Sequence, residues 1–250
     1  MRAFVGFDDT DHVDADRGTG KLARWFGEEL PMGCVLSGVV RQQLLVHENI
    51  PYTSHNSSAC VVLEIEDPSV LGDLTSKAAE HVECWSLEGS DPGVCVAFEG
   101  DPALSRLIDF SYACTQRVVT QREAMEAARG AHLSGHGGTN QGIIGAAAAV
   151  GLTAEGWNGR FIELGRLRDL PDCVRVSQLC ALGIQVVSLD RDARVPLADD
   201  VVLTRGWLRP RLLGNRATLP VMPKEPGIWE SMGGKRNGKN ATGVALSLTA

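Results

Sequence analysis

Three carboxylates fall within four residues in the stretch Val5-Gly6-Phe7-Asp8-Asp9-Thr10-Asp11, where a short apolar run ends. Crowded carboxylates raise one another's pKa unless a cation or hydrogen-bond donors neutralise them. A hard divalent ion is the obvious use, because Mg²⁺ is commonly held by one or two carboxylates while substrate phosphates complete its octahedron. The pattern therefore points to phosphoryl or nucleotidyl transfer, with Asp8 and Asp9 holding the metal and Asp11 ligating it or orienting an acceptor. The alternative is a solvated acidic loop in which Asp11 or Asp14 makes turn hydrogen bonds. Just downstream, Gly18, Thr19, Gly20 and Lys21 form a glycine-rich turn in which Lys21 could balance phosphate charge. It is not a P-loop, since Leu22 stands where the Mg²⁺-binding hydroxyl belongs.

A second landmark is Ser134-Gly135-His136-Gly137-Gly138-Thr139-Asn140-Gln141-Gly142, which feeds an alanine-rich run to Gly151. A glycine-rich turn entering a helix brings backbone N–H groups close to an anion, aided by the helix N-terminus. Gly137, Gly138, Asn140 and Gly142 would then line a phosphate. The competing reading is that these small residues only permit close helix packing. His55, Asn56 and His136 are candidates for the substrate side. His132 and His136 have i, i+4 spacing but straddle Ser134-Gly135 in an expected loop, which argues against a zinc-binding helix.

These segments need a scaffold. Strands are expected over residues 2–7, 58–66 and 94–98, with a further apolar segment at about 34–46. Helical spacing runs through Leu22, Trp25, Phe26 and Leu30, and again from Val70 to Val82 after the Asp67-Pro68 start signal. Asp91-Pro92-Gly93 reads as a turn, Asp101-Pro102 as a helix start, and 121–130 as helix. The order implies an α/β or α+β layered fold, a mixed sheet with flanking helices. Beyond Gly165 strand-like runs (174–189, 201–205) lead to a tail from Pro220 to Asn240, expected as a surface loop in which Trp229 covers a ligand or pins the loop.

With 250 residues, 44% of them hydrophobic, the chain can bury a proper core. No apolar window approaches a membrane span and no signal-peptide pattern precedes the acidic loop, so a cytoplasmic protein is expected. Seven cysteines without a C-x-x-C pair read as buried reduced thiols rather than zinc ligands. A net charge of -7 disfavours autonomous nucleic-acid binding. Positive charge is local, at Arg205, Arg209, Arg211 and Arg216 and at Lys235, Arg236 and Lys239.

Several segments occur in the same order as in archaeal tRNA-isoleucine agmatinylcytidine synthetases: Val5 to Asp11, Arg17 to Ala23, Asn49-Ile50-Pro51-Tyr52, Asp91 to Val94 and Gly142 to Gly151. Together they resemble the N-terminal half of that family. The resemblance implies a kinase-like ATP- and Mg²⁺-binding region (1–165), an accompanying ferredoxin-like subdomain, and activation of a cytidine by phosphorylation before agmatine replaces the oxygen. It places Asp8, Asp9 and Asp11 on the metal and ATP site and aligns Thr19 with the family's autophosphorylated threonine. Residues 166–250 form a smaller strand-rich region. With no C-x-x-C pair in the 250 residues, counterparts of the family's OB-fold and zinc ribbon are not expected in this sequence. Its basic stretches are replaced by Leu45-Val46-His47-Glu48 and Ser54-His55-Asn56-Ser57, so tRNA is expected to bind the isolated chain weakly and the acceptor to be small or presented by a partner. The other reading is a non-enzymatic ATP-binding regulator or subunit of an RNA-modifying complex, and acceptor-dependent release of ADP or AMP separates the two.

Overall fold

The computed structural model describes residues 1–12, 14–50, 55–204 and 206–232. The elements run β1 (Arg2–Asp8), α1 (Thr19–Phe26), β2 (Cys34–Gln43), β3 (Ser57–Ile65), α2 (Leu71–Trp85), β4 (Gly93–Phe98), α3 (Leu104–Gln116), α4 (Gln121–Ala127), β5 (His132–Gly135) and α5 (Gly142–Glu155). They continue through β6 (Arg160–Glu163), β7 (Cys173–Arg175), α6 (Val176–Ala181), β8 (Ile184–Ser188), β9 (Val201–Leu203), β10 (Arg211–Leu213), β11 (Arg216–Glu225) and β12 (Ile228–Ser231). All twelve strands share one mixed sheet in the order β5-β4-β1-β3-β2-β6-β10-β11-β12-β9-β7, with β8 alongside β11. This is the layered α/β fold that the sequence implies.

Successive side chains of a strand point to opposite faces, and here both faces are covered. Ala3, Val5 and Phe7 of β1 join Ala59, Val61 and Leu63 of β3 against Leu22, Phe26, Leu74 and Val82 of α1 and α2. Phe4 joins Val40, Cys60, Val62, Cys95 and Ala97 against α3, α4 and α5 on the other side. That double burial explains why the strands read as unbroken apolar runs. α5 is buried around nearly its whole circumference from Gly142 to Thr153. It lies so close to the sheet that a Cβ on Gly6 would collide with the Ala146 carbonyl.

Three expectations are corrected. The 174–189 run is not one strand: α6 interrupts it, burying Val176 and Leu179 at helical spacing. Pro220 to Glu225 belongs to β11, whose Ala217, Leu219 and Val221 enter the core on alternate positions, and 228–231 is β12. Trp229 is buried, and its Nε1–H donates to Asp200 at 2.8 Å, so it pins the structure. Cys60, Cys95 and Cys114 are buried thiols, whereas Cys84, Cys173 and Cys180 are exposed. Arg205 and the segment 233–250, including Lys235, Arg236 and Lys239, lie outside the described residues. Among those described, no helix is long and apolar enough to cross a membrane. Strands from both sides of residue 165 pair in the one sheet, through Arg160 and Arg211.

Candidate active-site cleft

Asp8 is the last residue of β1, and the chain leaves the strand through Asp9 in the left-handed region (φ 55°). Aspartate tolerates that conformation better than most side chains, though at a cost that surrounding structure must offset. Two backbone bonds do so: the Asp91 N–H donates to the Asp9 carbonyl and the Leu87 N–H to the Thr10 carbonyl, each at 3.1 Å. The Asp8 carboxylate lies against α5 at Gly145, where any Cβ would overlap it. Burial, then the neighbouring Asp9 and Asp11 charges, push Asp8 well above the usual carboxylate range. Burial with the charges of Asp91 and Asp11 raises Asp9 to about 6, and burial also raises Asp11. The acidic loop is therefore packed, crowded and short of positive charge.

These three aspartates line a cleft with Thr19, Asn49, Ile50, His55, Asn56, Arg117 and Gly145 among its walls. A smaller recess opens from it, bounded by Asp11, Gly18, Thr19, Gly20, Arg41 and His55. The Thr19 hydroxyl is buried and accepts a hydrogen bond from the Thr10 hydroxyl at 3.1 Å. Gly18 lies close to the acidic loop: a Cβ there would sit 2.9 Å from the Asp11 carboxylate, which would have to shift. Asn56 turns its amide to the Leu45 carbonyl at 2.6 Å. Lys21 is not among the lining residues; its ammonium lies over the Trp25 ring, 5.0 Å from the centroid. Leu44, Val118, Val119 and Ile144 make one side of the cleft apolar.

The glycine-rich turn forms an anion nest, and the anion in it is a side chain of the protein. The Asp91 carboxylate accepts backbone N–H bonds from Thr139 (3.1 Å), Asn140 (2.6 Å) and Gln141 (2.9 Å), and one from the Thr139 hydroxyl (2.5 Å). The Gly142 N–H donates to the Asp91 carbonyl at 3.1 Å. Gly138 (φ 52°) faces the same carboxylate, and Gly142 and Gly93 meet so closely that a Cβ on either would strike the other's backbone. Of this segment, Gln141 reaches the cleft wall, while Gly137, Gly138, Asn140 and Gly142 do not. His136 also points elsewhere. Its Nδ1 pairs with Glu83 at 3.0 Å and its Nε2 with the Ser134 hydroxyl at 2.8 Å.

Sequence reading passes over three residues of this region. Arg117 is held by Glu123 at 2.6 Å, a pairing that draws Glu123 down to about 2. Cys114 is inert, its thiol pushed up to about 12 by burial. Asp91 is visible in the sequence only as the first residue of a turn. Its place shortly after Glu88-Gly89 in an acidic protein gives no hint that it holds the turn that leads into α5, some fifty residues away. Among the described residues no three His, Cys, Asp or Glu side chains form an all-protein metal cage. A Mg²⁺ site that relies on two carboxylates and substrate phosphates does not need one.

Two solved structures share this fold over part of their length: a tRNA fluorescent labelling enzyme (28% identity, TM-score 0.51) and TiaS in complex with an isoleucine tRNA and ATP (27% identity, TM-score 0.52). The chain resembles a tRNA-isoleucine agmatidine synthetase. Each likeness covers 60% of this chain and 36% of the other, so the chain spans about a third of the length of these neighbours. No protein-family model matches the sequence, and no curated protein does.

Proposed function

We propose that the chain is an ATP- and Mg²⁺-dependent enzyme that activates an acceptor oxygen by phosphoryl transfer, with residues 1–165 carrying the chemistry and 166–250 a smaller strand-rich region. The observation that carries this reading is the crowded, half-buried group Asp8, Asp9 and Asp11 on one cleft wall, whose raised proton affinity marks negative charge that, among the described residues, has no Lys or Arg ion pair. The donor set suits a hard cation, and Asp8 and Asp9 would hold Mg²⁺. The bound metal supplies charge neutralisation at the transferring phosphoryl group.

The protein's own part is positioning. The apolar wall of Leu44, Val118, Val119 and Ile144 accommodates a nucleotide base, and Asp11 and His55 face the recess where an acceptor oxygen enters. Thr19, buried between cleft and recess, presents a hydroxyl to the same space. Likeness to a structure bound to ATP supports the nucleotide; the acceptor is treated next. The test is Mg²⁺-dependent nucleotide turnover with Asp9→Asn beside the wild type. Wild-type release of ADP or AMP that Asp9→Asn loses, in a variant that still folds, supports the reading. Equal turnover in both overturns the metal assignment.

A further inference from the structure

An unneutralised charge of the opposite sign lies beside the acidic cleft. Arg41 of β2, Arg160 of β6 and Arg211 of β10 are consecutive register partners across three antiparallel strands. Directly paired residues share a face, so three guanidinium groups lie abreast on one side of the sheet. Their neighbours Val40, Phe161 and Leu212 enter the core on the opposite side, which fixes the direction of the arginines. Arg209, just ahead of β10, lines the same groove, together with Trp157, Asn158 and His55.

Among the described residues no carboxylate forms an ion pair with these guanidinium groups. Among the described residues the Arg160 and Arg211 side chains make no hydrogen bond or ion pair, and that of Arg41 has only the Ser57 hydroxyl, at 3.0 Å from its Nε. Arg209 lies over the Trp207 ring at 4.3 Å with its Nε buried and without an acceptor. Burial and the repulsion of Arg209 and Arg160 lower the Arg41 pKa, and burial with Arg160 lowers that of Arg209. Like charges paired directly across strands destabilise a sheet, and a protein of net charge -7 has carboxylates enough to relieve them. The groove is also continuous with the chemistry: Arg41 and His55 line both it and the recess that holds Asp11 and Thr19.

We propose that this groove binds the phosphate groups of the acceptor, holding a phosphate-bearing molecule with its reactive oxygen directed past His55 toward Asp11 and Thr19. The proposal rests on the phosphoryl-transfer reading for the word acceptor, and on the groove alone for the phosphate. Guanidinium forks match phosphate oxygens in pairs, which suits four arginines in one trough. Trp157, 59% exposed on the groove wall, adds an aromatic face on which a base can stack. The phosphates come either from a nucleic-acid strand or from a small phosphorylated molecule.

The experiment is direct binding without ATP turnover, using a labelled 5′-phosphorylated RNA tetramer and, separately, inorganic pyrophosphate. Wild type, Arg160→Glu and Arg211→Glu are compared at low and raised salt. Expected are salt-sensitive binding and at least a tenfold loss in each charge reversal, while the thermal shift produced by Mg-ATP stays unchanged. Binding of both probes means that a phosphate group suffices; binding of the tetramer alone assigns the phosphates to a strand. Arg160→Gln, which relieves repulsion without reversing charge, should raise Tm and still weaken binding several-fold. Failure of both probes to bind, or affinity indifferent to the arginine variants, overturns the proposal. Because turnover is scored separately, a protein that turns over nucleotide but ignores both probes loses only the groove. One that binds the probes without turnover loses only the enzyme.

Discussion

The acidic loop after β1 and the glycine-rich turn before α5 both concentrate groups that call for a counter-charge, and they resolve that need in opposite ways. At the turn, three backbone N–H groups and a hydroxyl close on the Asp91 carboxylate. At the loop, Asp8, Asp9 and Asp11 are packed together, and each has its pKa raised. A buried polar group that already has its partner serves the fold; one that lacks it is available to a ligand. The same criterion distinguishes Arg117, engaged by Glu123, from Arg160 and Arg211 in the groove.

The largest effect should come where the acidic loop meets α5. Gly145→Ala would drive a Cβ into the Asp8 carboxylate and should cost about 3 kcal/mol, the upper range for overpacking, read from the denaturant midpoint. An unchanged midpoint would show that Asp8 is not wedged against α5. Next, Asp91→Ala strips the acceptor from the turn and should destabilise by about 2 kcal/mol, on the scale of hydrogen bonds to a charged group. Full stability in that variant would erase the contrast between the two sites.

Asp8→Asn should act in the other direction, raising the stability of the metal-free protein by on the order of 1 kcal/mol while abolishing Mg-ATP binding. A variant less stable than wild type that still binds Mg-ATP would remove the acidic loop from the chemistry. The pH dependence has the same sign. Asp9 has a folded pKa of about 6 against an ordinary 3.8, so the folded state holds the proton more tightly. Its contribution to stability is fully present below the unfolded value, is lost as pH rises from there through 6, and stays lost above. Stabilisation by Mg²⁺ should therefore be larger at pH 7.5 than at pH 5, because the ion competes with protons; a Mg²⁺-induced Tm shift independent of pH contradicts this. The smallest effect is expected for Gly138→Ala, about 1 kcal/mol from placing a Cβ at φ 52°, with nucleotide affinity unchanged. A selective loss of nucleotide binding would instead return phosphate to this turn.

Much of the scaffold was legible because its signals are local. The runs at 2–7, 58–66 and 94–98 are apolar on both faces at their centres, with polar residues such as Arg2 and Glu64 kept to the ends, and Asp67-Pro68 opens a short 3-10 turn into α2. The 174–189 run misled because a six-residue helix and a short strand can both be written with Val, Leu and Ile, and burial rather than propensity chose between them. Pro220 looked like a loop residue but lies within β11, whose neighbouring Leu219 and Val221 fill the core.

Sequence by itself determined that three carboxylates leave β1 together, that glycine-rich turns occur in two places, one just after them, and that an alanine-rich helix follows the second. These are properties of neighbours along a chain. Which polar groups find partners is a property of neighbours in space, and only the tertiary structure decided it. Asp91 reaches residues 139–141 because β4 and α5 meet at Gly93 and Gly142. Arg41, Arg160 and Arg211 stand abreast because sheet register joins three positions far apart along a chain that is acidic overall. Charge satisfaction depends on those distances, since both hydrogen bonds and Coulomb interactions act through a few ångströms of space regardless of separation along the chain.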